Sequence, residues 1–466
     1  MTSVIVQNRT FAEIQPGDSA TLTHKLTERD VRLFAAMSGD RNPTHLGMEN
    51  GHSPTLTGHA MWGASLISGL LGNELPGPGT VYRSQQVEFV QPLHLDDSLT
   101  VTVSVREKRD PNIVIFDCVG LNRAGETVFS GVAEVYAPSQ KEQLSLPEVP
   151  LVAVQQHDLF EGYIQRCHRL APLVTAVAHP CDESSLAAAV QAGQQGLMLP
   201  ILVGPRARIQ ALADKIGLDI SGLELIDMPH SEEAAERAVA LVREGRAEAL
   251  MKGSLHTDEL MGAVVARNTG LRTDRRISHV FVMDVPTYHK ALFVTDAAVN
   301  IAPTLEDKID IAQNAIDLAR ALGLAQPKVA ILAAVETVSS HMPSTTEAAA
   351  LCKMADRGQI RGGLLDGPLA MDNAISKVAA KIKNIKSEVA GDADILLVPD
   401  LEAGNILAKQ LTFMANADAA GIVLGAKVPI ILTSRADSVM TRLASCAVAA
   451  LVAQARRESA AKAVTS

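Results

Sequence analysis

Aromatic residues are scarce in this chain. Of 466 residues, one is Trp, four are Tyr and nine are Phe. Positive charge is not in excess either: 42 Lys and Arg face 52 Asp and Glu, a formal net charge of -10. Nucleic-acid recognition needs a concentrated positive field and aromatic platforms, and no basic run or aromatic cluster supplies them. Cysteine is rare, with Cys118, Cys167, Cys181, Cys352 and Cys446 set far apart. An odd count without a Cys-x-x-Cys pair argues against a disulfide framework and a structural zinc site. Long apolar runs are missing: the closest, Gly421 to Thr433, is interrupted by Lys427 and Pro429, short of membrane-spanning length. Met1 to Glu13 lacks the apolar centre of a signal segment. A cytoplasmic protein with neither membrane nor nucleic acid as partner is therefore expected, and the Asn8-Arg-Thr sequon has no meaning there. Neither a dinucleotide fingerprint nor a Walker loop is present, so a Rossmann cofactor site or a P-loop is not supported.

What is present is apolar bulk. Hydrophobic residues make up 47% and charged residues 20%, enough to bury several cores and too apolar for a disordered chain. The pattern changes near residue 140. Before it, apolar residues alternate, as in Leu99-Thr-Val-Thr-Val-Ser-Val105, and Ile113 to Phe116 and Val128 to Val135 continue the same rhythm. Such alternation predicts strands. Ala60 to Leu71 breaks it with a helical stretch that is apolar nearly all round, which predicts a helix covered on most sides. One helix wrapped by an antiparallel sheet satisfies both. Pro138 to Pro150 is rich in Pro, Ser, Gln and Glu and reads as a linker. Beyond it, apolar runs at Pro200–Gly204, Ala291–Thr295, Lys328–Leu332, Asp394–Val398 and Pro429–Thr433 alternate with helical segments. One of those helices is framed by Thr304 with Asp307 at its start and by Gly323 and Pro327 at its end. Strands apolar on both faces and joined by helices predict a mostly parallel α/β sheet. The expected domains are residues 1–138, a linker at 139–157, and residues 158–466.

In the first domain Ser38-Gly-Asp-Arg-Asn-Pro-Thr-His45 places Asp40 and His45 on a turn. A carboxylate and an imidazole held together can share a water, one group taking its proton while the other orients it. The same residues also fit a turn merely capped by Asp40. The spacing resembles the signature of the MaoC-like (R)-specific enoyl-CoA hydratases, as do Gly58-His-Ala-Met-Trp-Gly-Ala-Ser65 and Leu75-Pro-Gly-Pro-Gly79. The resemblance spans about residues 10–137 and implies an α+β hot-dog fold. It also implies that Asp40 and His45 activate water for addition to a trans-2-enoyl-CoA, giving the (R)-3-hydroxyacyl-CoA. The Ala60 amide would then serve the thioester oxyanion, with Asn42 and Ser65 positioning the substrate. Ala60 stands where that family has Gly, so its amide can serve only if φ there is negative. Ser65 fits equally a helix serine bonding its own backbone.

In the second domain, Met251-Lys-Gly-Ser-Leu-His-Thr257 sets Gly253, Ser254, His256 and Thr257 where a strand gives way to a helix. Exposed amides and hydroxyls there suit an anion, although an ordinary helix cap uses the same residues. Leu432-Thr-Ser-Arg-Ala-Asp-Ser438 carries Ser434, Arg435 and Asp437 at the end of an apolar strand, where α/β sheets gather ligands. A surface Arg435–Asp437 pair is the plainer alternative.

Together with Ile277-Ser-His279, Val294 to Asn300, Asp366 to Asp372, Pro399-Asp400 and Gly404-Asn405, these motifs resemble the phosphate acetyl/butyryltransferases from about residue 160 to about 455. The resemblance implies an α/β fold of two subdomains and acyl transfer between coenzyme A and phosphate. Gly253, Ser254, His256, Thr257 and Ser434 would bind phosphate or CoA, Arg435 would neutralise developing charge, and Asp437 would act as base. In one branch of that family the carboxylate lies six residues after the arginine, where this chain has Thr441. Asp296 with Asn300, or Asp366 with Asp372, are turns or cleft liners. The whole implies a bifunctional homo-oligomer built from dimers. It would act on acyl-CoA, acyl phosphate and phosphate, with no metal and no other cofactor. The rival expectation is a hydratase whose second domain only binds acyl-CoA and oligomerises. A dehydratase or thioesterase is a third reading; the thioesterase fits the Asp40-x-Asn-Pro-x-His45 arrangement least.

Overall fold

The computed structural model describes residues 5–46, 56–145, 159–433 and 439–465. The chain divides into two compact units, Met1–Val154 and Gln155–Ser466.

The first unit begins with β1 (Ile5–Gln7), β2 (Ser19–Lys25), α1 (Glu28–Ser38), α2 (Pro43–Leu46) and α3 (Ala60–Asn73). It continues with β3 (Val81–Phe89), β4 (Ser98–Arg109), β5 (Ile113–Leu121), β6 (Thr127–Tyr136) and β7 (Gln143–Ser145). Five strands form an antiparallel sheet in the order β2-β4-β5-β6-β3. The alternation in β4 is realised: Leu99, Val101, Val103 and Val105 are buried and the residues between them are not. They form one core with Phe116, Phe129 and Val135 of the sheet and Trp62, Ile67, Leu70 and Leu71 of α3. Each such side chain contributes about 1.5–3 kcal/mol on burial.

Helix α3 is not covered all round. Ala60, Met61, Ser65 and Ser68 face outward, Met61 with 58% of its surface exposed. The expected linker also differs, since Gln143–Ser145 pairs with β1 as an antiparallel ribbon. Its polar composition hid a strand needing only three residues.

The second unit opens with α4 (Leu159–Cys167), β8 (Leu173–Ala178), α5 (Glu183–Gln194), β9 (Met198–Gly204) and α6 (Arg206–Ile216). Then come β10 (Glu224–Asp227), α7 (Ser231–Arg243), β11 (Ala249–Lys252), α8 (Thr257–Val265) and β12 (Ser278–Asp284). Next are β13 (Leu292–Thr295), α9 (Leu305–Ala321), β14 (Lys328–Leu332), α10 (Pro343–Asp356) and β15 (Leu364–Leu369). The rest is α11 (Met371–Ile375), α12 (Lys377–Ile382), β16 (Ile395–Leu397), α13 (Leu401–Met414), β17 (Asp418–Leu424), β18 (Ile430–Ile431) and α14 (Val439–Thr465).

One 11-stranded sheet runs β10-β9-β8-β11-β18-β17-β12-β13-β16-β14-β15. It is parallel within β10-β9-β8-β11-β18 and again within β13-β16-β14-β15. Between these blocks, β17 and β12 are antiparallel to each other and to their outer neighbours. The two parallel blocks therefore point in opposite directions, which is the physical basis of two subdomains in one sheet. Helix α9 starts as its sequence foretells: Thr304 Oγ1 accepts the Asp307 N–H and the Asp307 carboxylate accepts the Thr304 N–H. Two reciprocal bonds thereby satisfy donors that the first helical turn leaves orphaned.

Candidate functional site

In the first unit, α1 ends at Gly39, whose left-handed φ of 77° lets its N–H reach the Ala35 carbonyl at 2.9 Å. The chain leaves that cap directly into Asp40. Asp40 Oδ1 accepts the Asn42 N–H at 3.1 Å, and Asn42 Oδ1 accepts the Thr44 N–H at 3.1 Å and its hydroxyl at 2.9 Å. These short links replace the hydrogen bonds a helix would have made and stiffen the turn. Asn42 thus holds the loop. Pro43, with no N–H to lose, opens α2, which carries His45.

His45 Nδ1 lies 2.8 Å from the Thr57 carbonyl. A carbonyl only accepts, so Nδ1 carries the proton and Nε2 is left with its lone pair. It faces Asp40 Oδ2 at 3.9 Å. That gap is too long for a hydrogen bond and wide enough for a bridging water. His59 joins them, with Nε2 4.0 Å from Asp40 Oδ2 and its ring centroid 4.0 Å from that of His45. His59 precedes α3 as its N-cap residue, and Ala60 is the first helical residue, with φ outside the positive range. The condition for an alanine amide as donor is therefore met, and the first helical position, which Ala60 holds, has no intrahelical acceptor for its N–H. The Ser65 hydroxyl donates to the Trp62 carbonyl of its own helix at 2.6 Å. Of the expected residues, Asp40 and His45 come together beside Ala60. His59 was missed as a participant, although it stands between Gly58 and the apolar helix where a small polar cap is usual.

In the second unit, β8 and β11 lie side by side and their C-terminal ends build a cleft of about 440 Å³. The loop after β11 passes so close to β8 that only glycine fits at 253, where a Cβ would sit 2.3 Å from the Ala178 carbonyl oxygen. Gly253 and Ser254 donate their N–H groups to the carbonyls of Ala178 and His179, each at 2.9 Å. His179 is left-handed at φ 53°, an uncommon conformation for a residue with a Cβ. Its Nδ1 is 3.0 Å from Ser254 Oγ, which also lies 2.9 Å from the His179 carbonyl and 3.3 Å from the Cys181 N–H. Ser254 thus ties the cleft wall to the end of β8 while it also lines the cleft.

Arg208 and His256 line the same cleft, together with Asp182, Ser184, Ser231 and Glu259 at the starts of α5, α7 and α8. Helix starts concentrate partial positive charge, which favours an anion. Burial, aided by Arg208, holds the His179 imidazole below its ordinary pKa. The Glu259 carboxyl is held below the usual range by the Ser231 hydroxyl first and the His256 N–H second. Thr257 is exposed at the first position of α8. Buried Arg442 of α14 donates to Thr433 Oγ1 at 3.2 Å and to Ser184 Oγ at 3.1 Å, joining the end of β18 to the start of α5. Ser434, Arg435 and Asp437 lie outside the described residues. His179, Arg208 and Arg442 were missed; the strand-end rule that singled out Arg435 applies equally to His179, one residue beyond β8.

Among the remaining motif residues, Asn300 belongs to the lining of a separate pocket. The buried Asp296 carboxylate accepts N–H groups from Ala298, Val299 and Asn300, and burial raises its pKa. Asn300 binds Arg276 and the Ile277 carbonyl. Asp366 accepts the adjacent Gly367 N–H, Asp372 is exposed, and Asp400 caps α13 through the Ala403 N–H. Thr441 is buried within α14. No helix among the described residues is long and apolar enough to cross a membrane.

A hot-dog unit that brings Asp40, His45 and His59 together, and an α/β unit with a strand-end cleft lined by Arg208 and His256, give the architecture of an acyltransferase-class chain with a hot-dog domain. Residues 231–450 match the family described as "Phosphate acetyl/butaryl transferase", and residues 12–116 match the "MaoC like domain". Over 302 residues the chain is 65% identical to the phosphate acetyltransferase of Rhizobium meliloti, covering 65% of this chain and 96% of that protein. It is 45% identical over 278 residues to the phosphate butyryltransferase of Clostridium acetobutylicum, covering 60% and 92%. A branched-chain phosphotransacylase from Enterococcus faecalis superposes with a TM-score of 0.54 at 31% identity, covering 60% of this chain and 99% of that one. The chain belongs to the phosphate acetyl/butyryl transferase family and carries a MaoC-like hot-dog domain as well.

Proposed function

We propose that the chain is a bifunctional acyl-CoA enzyme that reversibly hydrates trans-2-enoyl-CoA and reversibly moves a short acyl group between CoA and phosphate. The observation that carries hydration is the water-sized gap of 3.9 Å between Asp40 Oδ2 and His45 Nε2, with the opposite edge of His45 locked on Thr57. Water held there loses a proton to one group as the other orients it, its oxygen adds to C3 of the enoyl thioester, and the pair returns a proton to C2 as the enolate collapses. Negative charge building on the thioester oxygen is met by the first amides of α3 at Ala60.

For acyl transfer, Arg208, His256 and the helix starts around Thr257 supply the anion field, with Arg435 and Ser434 assigned to phosphate and Asp437 to the CoA thiol. Transfer proceeds when the thiolate sulfur attacks the acyl carbonyl and phosphate leaves. CoA, acyl-CoA, acyl phosphate and phosphate are substrates, and neither reaction calls for a metal or other cofactor. A cytoplasmic homo-oligomer remains part of the proposal. The rival reading, a purely regulatory second unit, is disfavoured by the 65% identity to a phosphate acetyltransferase across nearly its whole length.

The test is two assays on the purified full chain: hydration of crotonyl-CoA, and acyl-CoA formation from CoA with acetyl, propionyl or butyryl phosphate. Both activities are expected, with Asp40→Asn removing only the first and Arg435→Ala only the second. Loss of both activities in either variant contradicts two independent sites. No transfer from any of the acyl phosphates leaves a hydratase with a binding module.

A further inference from the structure

We infer that His59 is a positioning residue of the proposed hydration site: its Nε2–H clamps the Asp40 backbone while its ring braces the His45 imidazole. The inference rests on the hydration reading. His59 has only 2% of its side chain exposed and makes no side-chain cap to α3, although it occupies the N-cap. A cap position ordinarily takes a small side chain that bonds the helix amides. A buried imidazole there needs another reason, because a polar ring out of water must find partners.

Its Nε2 is 3.2 Å from the Asp40 carbonyl oxygen. The carbonyl accepts, so the proton sits on Nε2. Nδ1 then holds a lone pair, buried and without a hydrogen-bond partner among the described residues. The ring packs on His45 at a centroid distance of 4.0 Å and on Phe34 of α1 at 5.1 Å. One side chain thus touches both members of the acid–base pair and the helix that delivers Asp40. Asp40 is held twice, through its carbonyl by His59 and through Oδ1 by the Asn42 N–H. Only Oδ2 is left to turn toward His45.

The same bond answers another possibility. Asp40, His45 and His59 offer three ligand-type atoms within 4.8 Å of one another, the donor set of a divalent metal site. Ligation through His59 Nε2 would move its proton to Nδ1, which has no acceptor among the described residues, and would release the Asp40 carbonyl. The arrangement therefore favours holding the Asp40–His45 gap over binding a metal.

The experiment compares His59→Phe, which keeps a ring without the donor, with His59→Gln, which keeps an N–H donor without the ring. Crotonyl-CoA hydration by the full chain is measured alongside its acyl transfer and thermal unfolding. For His59→Phe the expected result is a kcat about 10-fold or more below wild type with KM within about twofold, because a displacement near 1 Å at the reacting groups is costly. His59→Gln should recover part of that kcat, and acyl transfer should be unchanged in both. A wild-type kcat in His59→Phe overturns the inference, as does a parallel fall in kcat and unfolding temperature without recovery in His59→Gln. If the wild-type chain does not hydrate crotonyl-CoA, the hydration reading fails instead. The clamp is then judged by the 15N NMR signature of His45: an Nδ1–H tautomer in wild type that is altered in His59→Phe supports it, and an unaltered one overturns it.

Discussion

The two sites are assembled in opposite ways. In the hot-dog unit, Asp40, Asn42, His45 and His59 come from one short stretch, and most of the bonds that set them span two to nineteen residues. In the acyltransferase unit, the cleft is made where strands end, and its ties cross the chain: Ser254 to His179 over 75 residues and Arg442 to Ser184 over 258. A local site is insulated from distant substitutions and exposed to any change in its own turn. A site made of strand ends depends on the register of the whole sheet.

That contrast can be broken most decisively at Asp40. Asp40→Asn preserves shape but removes the carboxylate, so hydration should fall by about 10²–10⁴-fold while acyl transfer stays unchanged; initial rates for both reactions decide it. Next in size is Gly253→Ala. Its Cβ would meet the Ala178 carbonyl at 2.3 Å, a backbone atom that cannot swing away. The acyltransferase unit should lose about 1–3 kcal/mol and most transfer activity, whereas hydration should persist. Differential scanning calorimetry with both assays would show whether the damage stays in one unit.

A third prediction concerns acid. His279 is fully buried, and burial drops its pKa to about 3 from an ordinary 6.5. Its folded value lies below its unfolded one, so the unfolded chain takes up a proton that the folded chain refuses. The resulting stability is present above about 6.5 and is lost as pH falls toward about 3, by at most about 1.4 kcal/mol per pH unit. Unfolding of the acyltransferase unit should steepen with acid in wild type and less so in His279→Phe; equal slopes would remove His279 as a cause. The smallest effect is expected for Ser65→Ala. Its hydroxyl bonds its own helix, so hydration should stay within about twofold of wild type, and a larger fall would place Ser65 among the substrate contacts.

Much of the fold was legible along the chain. Alternation in Leu99 to Val105 and the Thr304–Asp307 cap each encode an element through neighbours a few residues apart, and both are realised. The Asp40–His45 turn was legible for the same reason. Less so were the antiparallel seam of β17 and β12, because an apolar strand buried on both faces says nothing of its direction. The short strand Gln143–Ser145 escaped because its partner lies at the other end of the unit.

By itself, then, the order of residues determined the two rhythms, the helix caps and the turn that brings Asp40 near His45, since each depends on local geometry and period. Tertiary structure alone decided that His59 backs that pair, that Ser254 ties β11 to the end of β8, and that His179, Arg208 and Arg442 gather at the second site. Those outcomes depend on which strands become neighbours and how deeply a side chain is buried, and no spacing along the chain records either.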